Sequence, residues 1–169
     1  MKRLHLIALA LVLFAANTAY AQATASATAT ATIVTPISIT KDVDMNFGNV
    51  AVQSSTGGTV VLTPAGVRSA TGGVTLPSTA TGTVTAASFT VTGNGNYTYS
   101  ITLPSSPLTI TSGSNTMTVS TFVSSPSGTG TLTAGTQTLT VGATLNVSAA
   151  QAAGVYVSGT PFDVTVNYN

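Results

Sequence analysis

The amino-acid sequence predicts an all-β fold, an antiparallel β-sandwich of roughly seven to nine strands with one short helical turn. Apolar residues recur at every second position in several stretches, which is the period of a strand with one buried and one solvated face. The clearest stretches are residues 89–91, 97–103, 117–119, 139–147 and 162–168. Turn signals rich in Gly, Asn and Pro separate these stretches, and the abundant Thr and Val favour strands.

The N-terminal segment has the anatomy of a secretory signal peptide. A basic start at residues 2–3 is followed by an apolar run over residues 4–16, and then by Ala19 and Ala21, small residues that precede a cleavage position before Gln22. The apolar run is shorter than the ~20 residues of a membrane span. We therefore expect export to the periplasm, then to the cell surface or the medium, with no membrane span after signal removal.

Residues 22–35 are predicted to be an N-terminal extension that precedes a sandwich domain of residues 36–169. Small or apolar residues occupy alternate positions of this extension, which makes it a candidate donor strand with one face formed by Ala25, Ala27, Ala29, Ala31 and Ile33. Alanine buries little apolar area, so this strand would gain little from a core of its own. It could instead pair with the sheet edge of another subunit, or lie loose.

Tight turns are predicted from the glycine positions. Asn94 and Gly95 stand between two alternating stretches and predict a hairpin, because a tight primed turn needs positive φ. The apolar phase changes at Gly48, which predicts a β-bulge there. Residues 149–153 have high helix propensity, and Gly154 could cap them, so the one short helical turn is predicted here.

The C-terminal stretch is a candidate assembly strand, because Phe162, Val164, Val166 and Tyr168 share one face. A strand with this periodicity at a sheet edge is suited to β-augmentation, although any sandwich also needs a last strand. Two further tyrosines, Tyr97 and Tyr99, share a face as well. They could form an aromatic platform for a sugar, but core packing is the favoured interpretation.

The charge of the processed chain excludes several classes of function. After residue 21 the charged side chains are two basic and three acidic, a net charge of −1: Lys41, Arg68, Asp42, Asp44 and Asp163. This chain cannot neutralise a row of phosphates, so we expect no nucleic-acid partner.

The residue inventory predicts no enzyme, because the only His is His5 and no Cys exists. We expect no cofactor and no metal. Asp42 and Asp44 could share a face, but a Ca²⁺ site needs roughly six to eight oxygens, and a solvated pair is favoured.

Several segments together resemble a bacterial family of secreted domains catalogued as domain of unknown function 4402. They are residues 45–50, 86–93, 99–104, 141–145, 151–156 and 164–168, and the resemblance covers roughly residues 35–169. In outline the family is similar to spore-coat-U-type and pilin-type secreted subunits, which typically carry Cys pairs that this chain lacks. The resemblance implies an immunoglobulin-like or pilin-like sandwich and no catalytic motif.

These observations favour a secreted structural subunit of a cell-surface fibre, pilus or coat that assembles by β-strand addition. Its expected partners are copies of itself or other surface subunits, and a periplasmic chaperone is a further candidate. The alternative is a monomeric extracellular binding module or adhesin that recognises a glycan or a surface. Ice binding and a small outer-membrane barrel are less favoured, because the Thr-x-Thr rows lack a fixed period and aromatic residues are few.

Overall fold

The computed structural model describes residues 22–169, so the predicted signal peptide, with Ala19 and Ala21, lies outside the described residues. The chain separates into two units between Ile33 and Val34. In the first unit, residues 22–33 are exposed and belong to no strand. The second unit, Val34–Asn169, holds all the strands described below.

The second unit is all-β, and its strands pair in the antiparallel sense. Fifteen strands occur within residues 22–169, and nine of them have four or more residues. They are β1 (Ser38–Val43), β2 (Asn46–Phe47), β3 (Ala51–Val52), β4 (Gly58–Leu62), β5 (Arg68–Gly72), β6 (Val74–Thr75), β7 (Val84–Thr85), β8 (Ala87–Thr92), β9 (Thr98–Thr102), β10 (Leu108–Ser112), β11 (Asn115–Ser125), β12 (Thr129–Thr131), β13 (Thr136–Val147), β14 (Val157–Ser158) and β15 (Thr165–Tyr168). The prediction of an all-β, antiparallel, sandwich-like fold is confirmed.

The larger sheet is organised around β13, the longest strand. Its strand order is β1-β8-β13-β11-β10-β14, and β4, with β5 beyond it, also pairs with β13. Along one edge of β13, the first half pairs with β8 and the second half pairs with β4. Gly142 lies between the two halves, where the chain of β4 turns away at Leu62.

A smaller sheet forms the opposing layer, with the strand order β12-β9-β15. Two short pairs, β2 with β7 and β3 with β6, complete the strand pairing. Alternation places apolar side chains of β8, β11 and β13 on one face. They form two buried groups: Ala87, Phe89, Val91, Tyr99, Leu132, Leu139, Val141 and Val166 in one, and Val60, Val74, Val119, Ala143, Leu145 and Val147 in the other.

Tyr99 is fully buried in the centre of the smaller sheet. Its hydroxyl donates a hydrogen bond to Oε1 of Gln137 at 2.8 Å. Gly130 lies opposite Tyr99 in β12, and a Cβ at this position would overlap the tyrosine ring. Burial raises the pKa of Tyr99 above its usual value of 10.0, because the charged phenolate loses solvation.

This burial predicts that the domain loses stability at alkaline pH. As the pH rises past 10.0, Tyr99 ionises in the unfolded chain before it ionises in the folded domain. The stability that neutral Tyr99 contributes is therefore complete below pH 10.0, and it is lost as the pH rises through the raised pKa of the folded state. Urea unfolding should show a fall in the free energy of unfolding as the pH rises above 10.0. Tyr99→Phe should start from a lower stability and show a shallower fall, and equal slopes in both proteins would contradict the prediction.

The predicted helical turn at residues 149–153 is wrong, because no helix occurs within residues 22–169. Tertiary hydrogen bonds hold this segment in an irregular loop instead. The Ala150 amide donates to the Gln53 carbonyl at 3.0 Å, and Ala150 has a φ of 52°. The Ala152 carbonyl accepts a hydrogen bond from the Tyr156 hydroxyl at 2.7 Å. These contacts outweigh a small local helix propensity.

The predicted Asn94-Gly95 hairpin is also wrong. β8 lies between β1 and β13, and β9 lies between β12 and β15, so the edges that would pair them are already occupied. The loop therefore passes from one sheet to the other. Its positive φ falls on Asn96, at 65°, and the Asn94 amide donates to the Tyr168 hydroxyl at 2.6 Å.

The phase change at Gly48 comes from a break between two strands rather than from a bulge within one. Gly48 has a φ of 68° and separates β2 from β3, which pair with different strands. Its amide donates to Oδ1 of Asn46 at 2.8 Å. Glycine suits this break because positive φ costs it little.

Candidate assembly groove

The C-terminal strand is shorter than the sequence predicts and has a neighbour on one side only. β15 begins at Thr165, and it pairs with β9 alone among the described strands. Val166 is buried between the layers, and Tyr168 is half-buried. The second edge of β15 therefore carries no hydrogen-bonded strand within residues 22–169, although β1 also contacts β15.

Phe162 and Val164 precede β15 and lie on the same apolar face as Val166. Both are half-buried. The ring of Phe162 packs against Phe89 of β8, with centroids 6.4 Å apart, and against Phe122 of β11 at 5.0 Å. The predicted assembly face thus contacts the core of the larger sheet.

The Tyr168 hydroxyl joins three parts of the second unit. It accepts the hydrogen bond from the Asn94 amide and donates one to the Thr35 carbonyl at 2.8 Å. Its ring meets the ring of Tyr97 in a T-shaped arrangement at 5.5 Å. Thr35 therefore belongs structurally to the domain, although the sequence predicted it as the last residue of the extension.

The candidate donor residues are all exposed. Ala25, Ala27, Ala29 and Ala31 belong to no strand. Ile33 is 97% exposed, the highest value among the exposed large apolar residues. Gln22, next to the predicted cleavage position, is exposed as well.

An open groove of about 840 Å³ lies over the core face of the larger sheet. Its first wall consists of residues 43–50, all of which line it, and its second wall consists of residues 155–162, of which residues 159 and 160 do not. The floor comes from β8, β10, β11 and β13: Ala87, Phe89, Leu108, Ile110, Met117, Val119 and Leu145. Voids in a closed protein interior rarely exceed the size of a water molecule, so the core here is not closed.

Arg68 of β5 holds the first wall in place. One guanidinium nitrogen, Nη1, donates to the carbonyls of Phe47 at 2.5 Å and Asn49 at 2.9 Å. The other, Nη2, donates to the Thr81 carbonyl at 3.2 Å. The planar guanidinium can serve several acceptors at once, which fixes the irregular backbone around Gly48.

Gln151 and Tyr156 hold the second wall. The Gln151 side-chain amide donates to the Tyr156 hydroxyl at 2.8 Å and to the Thr116 carbonyl of β11 at 3.2 Å. The short strand β14 pairs with β10 immediately beyond Tyr156. From residue 159 to residue 164 the backbone makes no hydrogen bond to other backbone within the described part of the chain. Pro161 has no N–H to donate, so any added strand would pair with the other backbone groups of this stretch.

Three exposed valines lie along the groove. Val43, Val155 and Val157 line it and are 41%, 82% and 60% exposed. The charged residues that line it are Lys41 and Asp44, which form an ion pair with each other at 2.7 Å. Exposed apolar surface around an open cavity is typical of an interaction site.

The acidic residues do not converge on a metal site. Asp44 pairs with Lys41, and Oδ2 of Asp42 accepts a hydrogen bond from the Thr90 hydroxyl at 2.8 Å. Within residues 22–169, no group of three or more His, Cys, Asp or Glu residues is placed to hold a metal ion. No helix in this part of the chain is both long and apolar enough to cross a membrane.

A two-tyrosine sugar platform is not formed. Tyr99 is fully buried, whereas Tyr97 is 41% exposed and lies just before β9. Core packing, the favoured interpretation, is therefore correct for Tyr99. Tyr97 contacts Tyr168 instead.

Sequence reasoning did not identify the two walls as one site. Met45 and Phe47 belong to the segment before the phase change and to the family resemblance, and Val155 and Tyr156 belong to the resemblance alone. The available signal was the spacing of Val155 and Val157, which places two large apolar residues on one side of an otherwise hydroxyl-rich segment.

These features define an all-β domain with a C-terminal strand that pairs on one side and an open groove over the core face of its larger sheet. Residues 37–168 match the family described as "Domain of unknown function (DUF4402)", and the chain belongs to this family. It matches none of the curated proteins and none of the solved structures.

Proposed function

We propose that this protein is a secreted structural subunit of a cell-surface fibre, pilus or coat, and that it assembles by β-strand addition. The observation that carries the proposal is that β15 pairs on one side only, in a chain whose strand-patterned residues 22–33 lie outside every strand. An added strand would gain backbone hydrogen bonds at the free edge and side-chain specificity from its alternation.

The chemistry of the chain supports an assembly role rather than catalysis. Residues 22–169 contain no His and no Cys, and the few charged side chains are spread among Lys41, Asp42, Asp44, Arg68 and Asp163. The low charge removes a source of repulsion between identical subunits. The signal-peptide pattern of residues 1–21 supports export, as assembly at the cell surface requires.

Deletion of residues 22–33 is expected to abolish polymers and leave a folded monomer. The deletion stops at Ile33 because the Thr35 carbonyl accepts the hydrogen bond from Tyr168 and should be retained. Light scattering and negative-stain microscopy of the exported protein would measure assembly, and circular dichroism would confirm the fold. A Gly/Ser replacement of equal length is the control for linker length and should also stay monomeric.

Two outcomes would contradict this proposal. Polymers that survive the deletion would show that the extension is not the added strand. A full-length chain that stays monomeric at all concentrations would favour the alternative, a monomeric extracellular binding module. The observation that favours this alternative is the groove, because 840 Å³ lies within the size range of small-molecule sites. A ligand screen that includes glycans would test it.

A further inference from the structure

We propose that the groove is the acceptor site for residues 23–33 of a second copy of this chain. The inference rests on the proposed function and deepens it, because it names the site that the added strand fills. The strand would then do more than extend a sheet edge. It would enter between the two walls and cover the exposed part of the core.

The first argument is the state of the core. Ala87, Val119 and Leu145 are almost fully buried, yet they line a cavity of about 840 Å³ that opens between the walls. An apolar segment that entered a groove of this size would shield apolar surface from water. The floor favours a largely apolar occupant, because its side chains are apolar.

The second argument is hydrogen bonding along the groove. Residues 159–164 lead from the second wall into β15, and Pro161 and Phe162 of this stretch line the groove itself. An extended segment that leaves the groove along this stretch could pair with its backbone groups, apart from the N–H that Pro161 lacks. A small apolar molecule could fill the volume but could not form such a ladder.

The third argument is the composition of residues 23–33. They carry no charge, so no ion is buried when they enter the groove. Alanine occupies every second position from Ala23 to Ala31, and Ile33 continues the same face. Small side chains permit close approach to a floor that already carries large residues, and Ile33 supplies one large anchor.

Cysteine cross-linking can test this directly, because the natural chain contains no Cys. A tagged donor, Ile33→Cys, would be co-expressed with an untagged acceptor, so that assembly occurs in the mixture. The acceptors are Val43→Cys in the first wall and Val157→Cys next to Tyr156 in the second. A bismaleimide reagent then links thiols that lie close together, and the mass tag distinguishes the heterodimer from homodimers.

The matched controls are two valines outside the groove with nearly the same exposure. Val123→Cys, 42% exposed, matches Val43 at 41%, and Val67→Cys, 63% exposed, matches Val157 at 60%. We expect about tenfold or more heterodimer with the wall cysteines than with the controls, because thiols held in a complex meet at a high effective concentration. Mass spectrometry of the linked peptides should identify residue 33 joined to residue 43 or 157.

A second pair of variants tests the anchor without touching the acceptor. Ile33→Asp should abolish assembly, because a carboxylate would be buried in an apolar groove. Ile33→Val should retain it. Ile33 is almost fully exposed, so neither change should alter the thermal unfolding of the monomer.

The outcomes separate this inference from the proposed function. Fibres that form while wall and control cysteines cross-link equally would overturn the groove as the acceptor site and leave the subunit role standing. Absence of both polymers and heterodimers would overturn both. A chain carrying Ile33→Cys and Val157→Cys that links only within itself would show that the groove takes its own extension, which also overturns the inference.

Discussion

Gly142→Val is expected to lower the free energy of unfolding by about 3 kcal/mol or more, because it adds three carbon atoms at a buried position. Gly142 lies where β8 and β4 succeed each other along one edge of β13. A Cβ at this position would overlap the Leu62 carbonyl oxygen and would stand 2.6 Å from the carbonyl carbon of Thr63. These are backbone atoms at the end of β4 and just beyond it, so they cannot move aside as the end of a flexible side chain could.

Thermal unfolding would measure the loss at Gly142. For a domain of this size, about 3 kcal/mol corresponds to a fall of about 6–12 °C in Tm. Gly159→Ala is the matched control, because a Cβ there would meet no atom within 4 Å and the position has no positive φ. It should change Tm very little. Equal Tm values for the Gly142 variant and the natural chain would show that β4 can shift to relieve the overlap.

Arg68→Met is expected to lower the free energy of unfolding by about 2–4 kcal/mol, because hydrogen bonds to charged groups contribute roughly 1.5–3 kcal/mol each and part of this is recovered by solvent. Arg68 donates to the carbonyls of Phe47, Asn49 and Thr81. Methionine keeps most of the apolar stem and removes only the donors. Arg68→Lys should recover part of the loss, since an ammonium cannot reproduce the planar fork.

The control for Arg68 is the second basic residue of the domain. Lys41 forms an ion pair with Asp44, and both side chains are largely exposed, at 56% and 80%. Exposed pairs contribute about 0–1 kcal/mol, so Lys41→Met should cost far less than Arg68→Met. Denaturant unfolding of both variants would compare the two costs. Similar losses in the free energy of unfolding would mean that the Arg68 hydrogen bonds do not hold the first wall in place.

The Arg68 prediction also bears on assembly. Phe47, Gly48 and Asn49 line the groove, and Arg68 fixes their backbone. A looser first wall would present the floor less well to an added strand. The arginine therefore links the stability of the domain to the geometry of the candidate acceptor site.

Much of the strand content was predictable because alternation is a local property. The runs that contain Phe89, Leu139, Leu145 and Val166 alternate in sequence, and these residues are buried in the structure. Successive side chains of a strand point to opposite faces, so the alternation indicates which side chains face the core. This holds whichever strand is the pairing partner. The family resemblance was predictable for the same reason, since it lies in the same runs.

Turns and the short helix were less predictable because tertiary contacts decide them. Asn94 and Gly95 have the composition of a hairpin turn, but β8 and β9 belong to different sheets. Residues 149–153 have helix propensity, but tertiary hydrogen bonds hold them in a loop. The Gln53 carbonyl accepts a hydrogen bond from this segment, and the Tyr156 hydroxyl donates one to it. Propensities of a few tenths of a kcal/mol per residue cannot resist such contacts.

By itself, the sequence of this protein determined its all-β class, its low charge, its lack of His and Cys beyond residue 21 and its unusual alternating extension. Each of these depends on residue type or on local period. Only the tertiary structure decided that β15 has one free edge and that the walls around Phe47 and Tyr156 leave the core open between them. The physical reason is that an open strand edge or an open groove depends on how segments distant in sequence pack together. No local pattern of residues determines that packing.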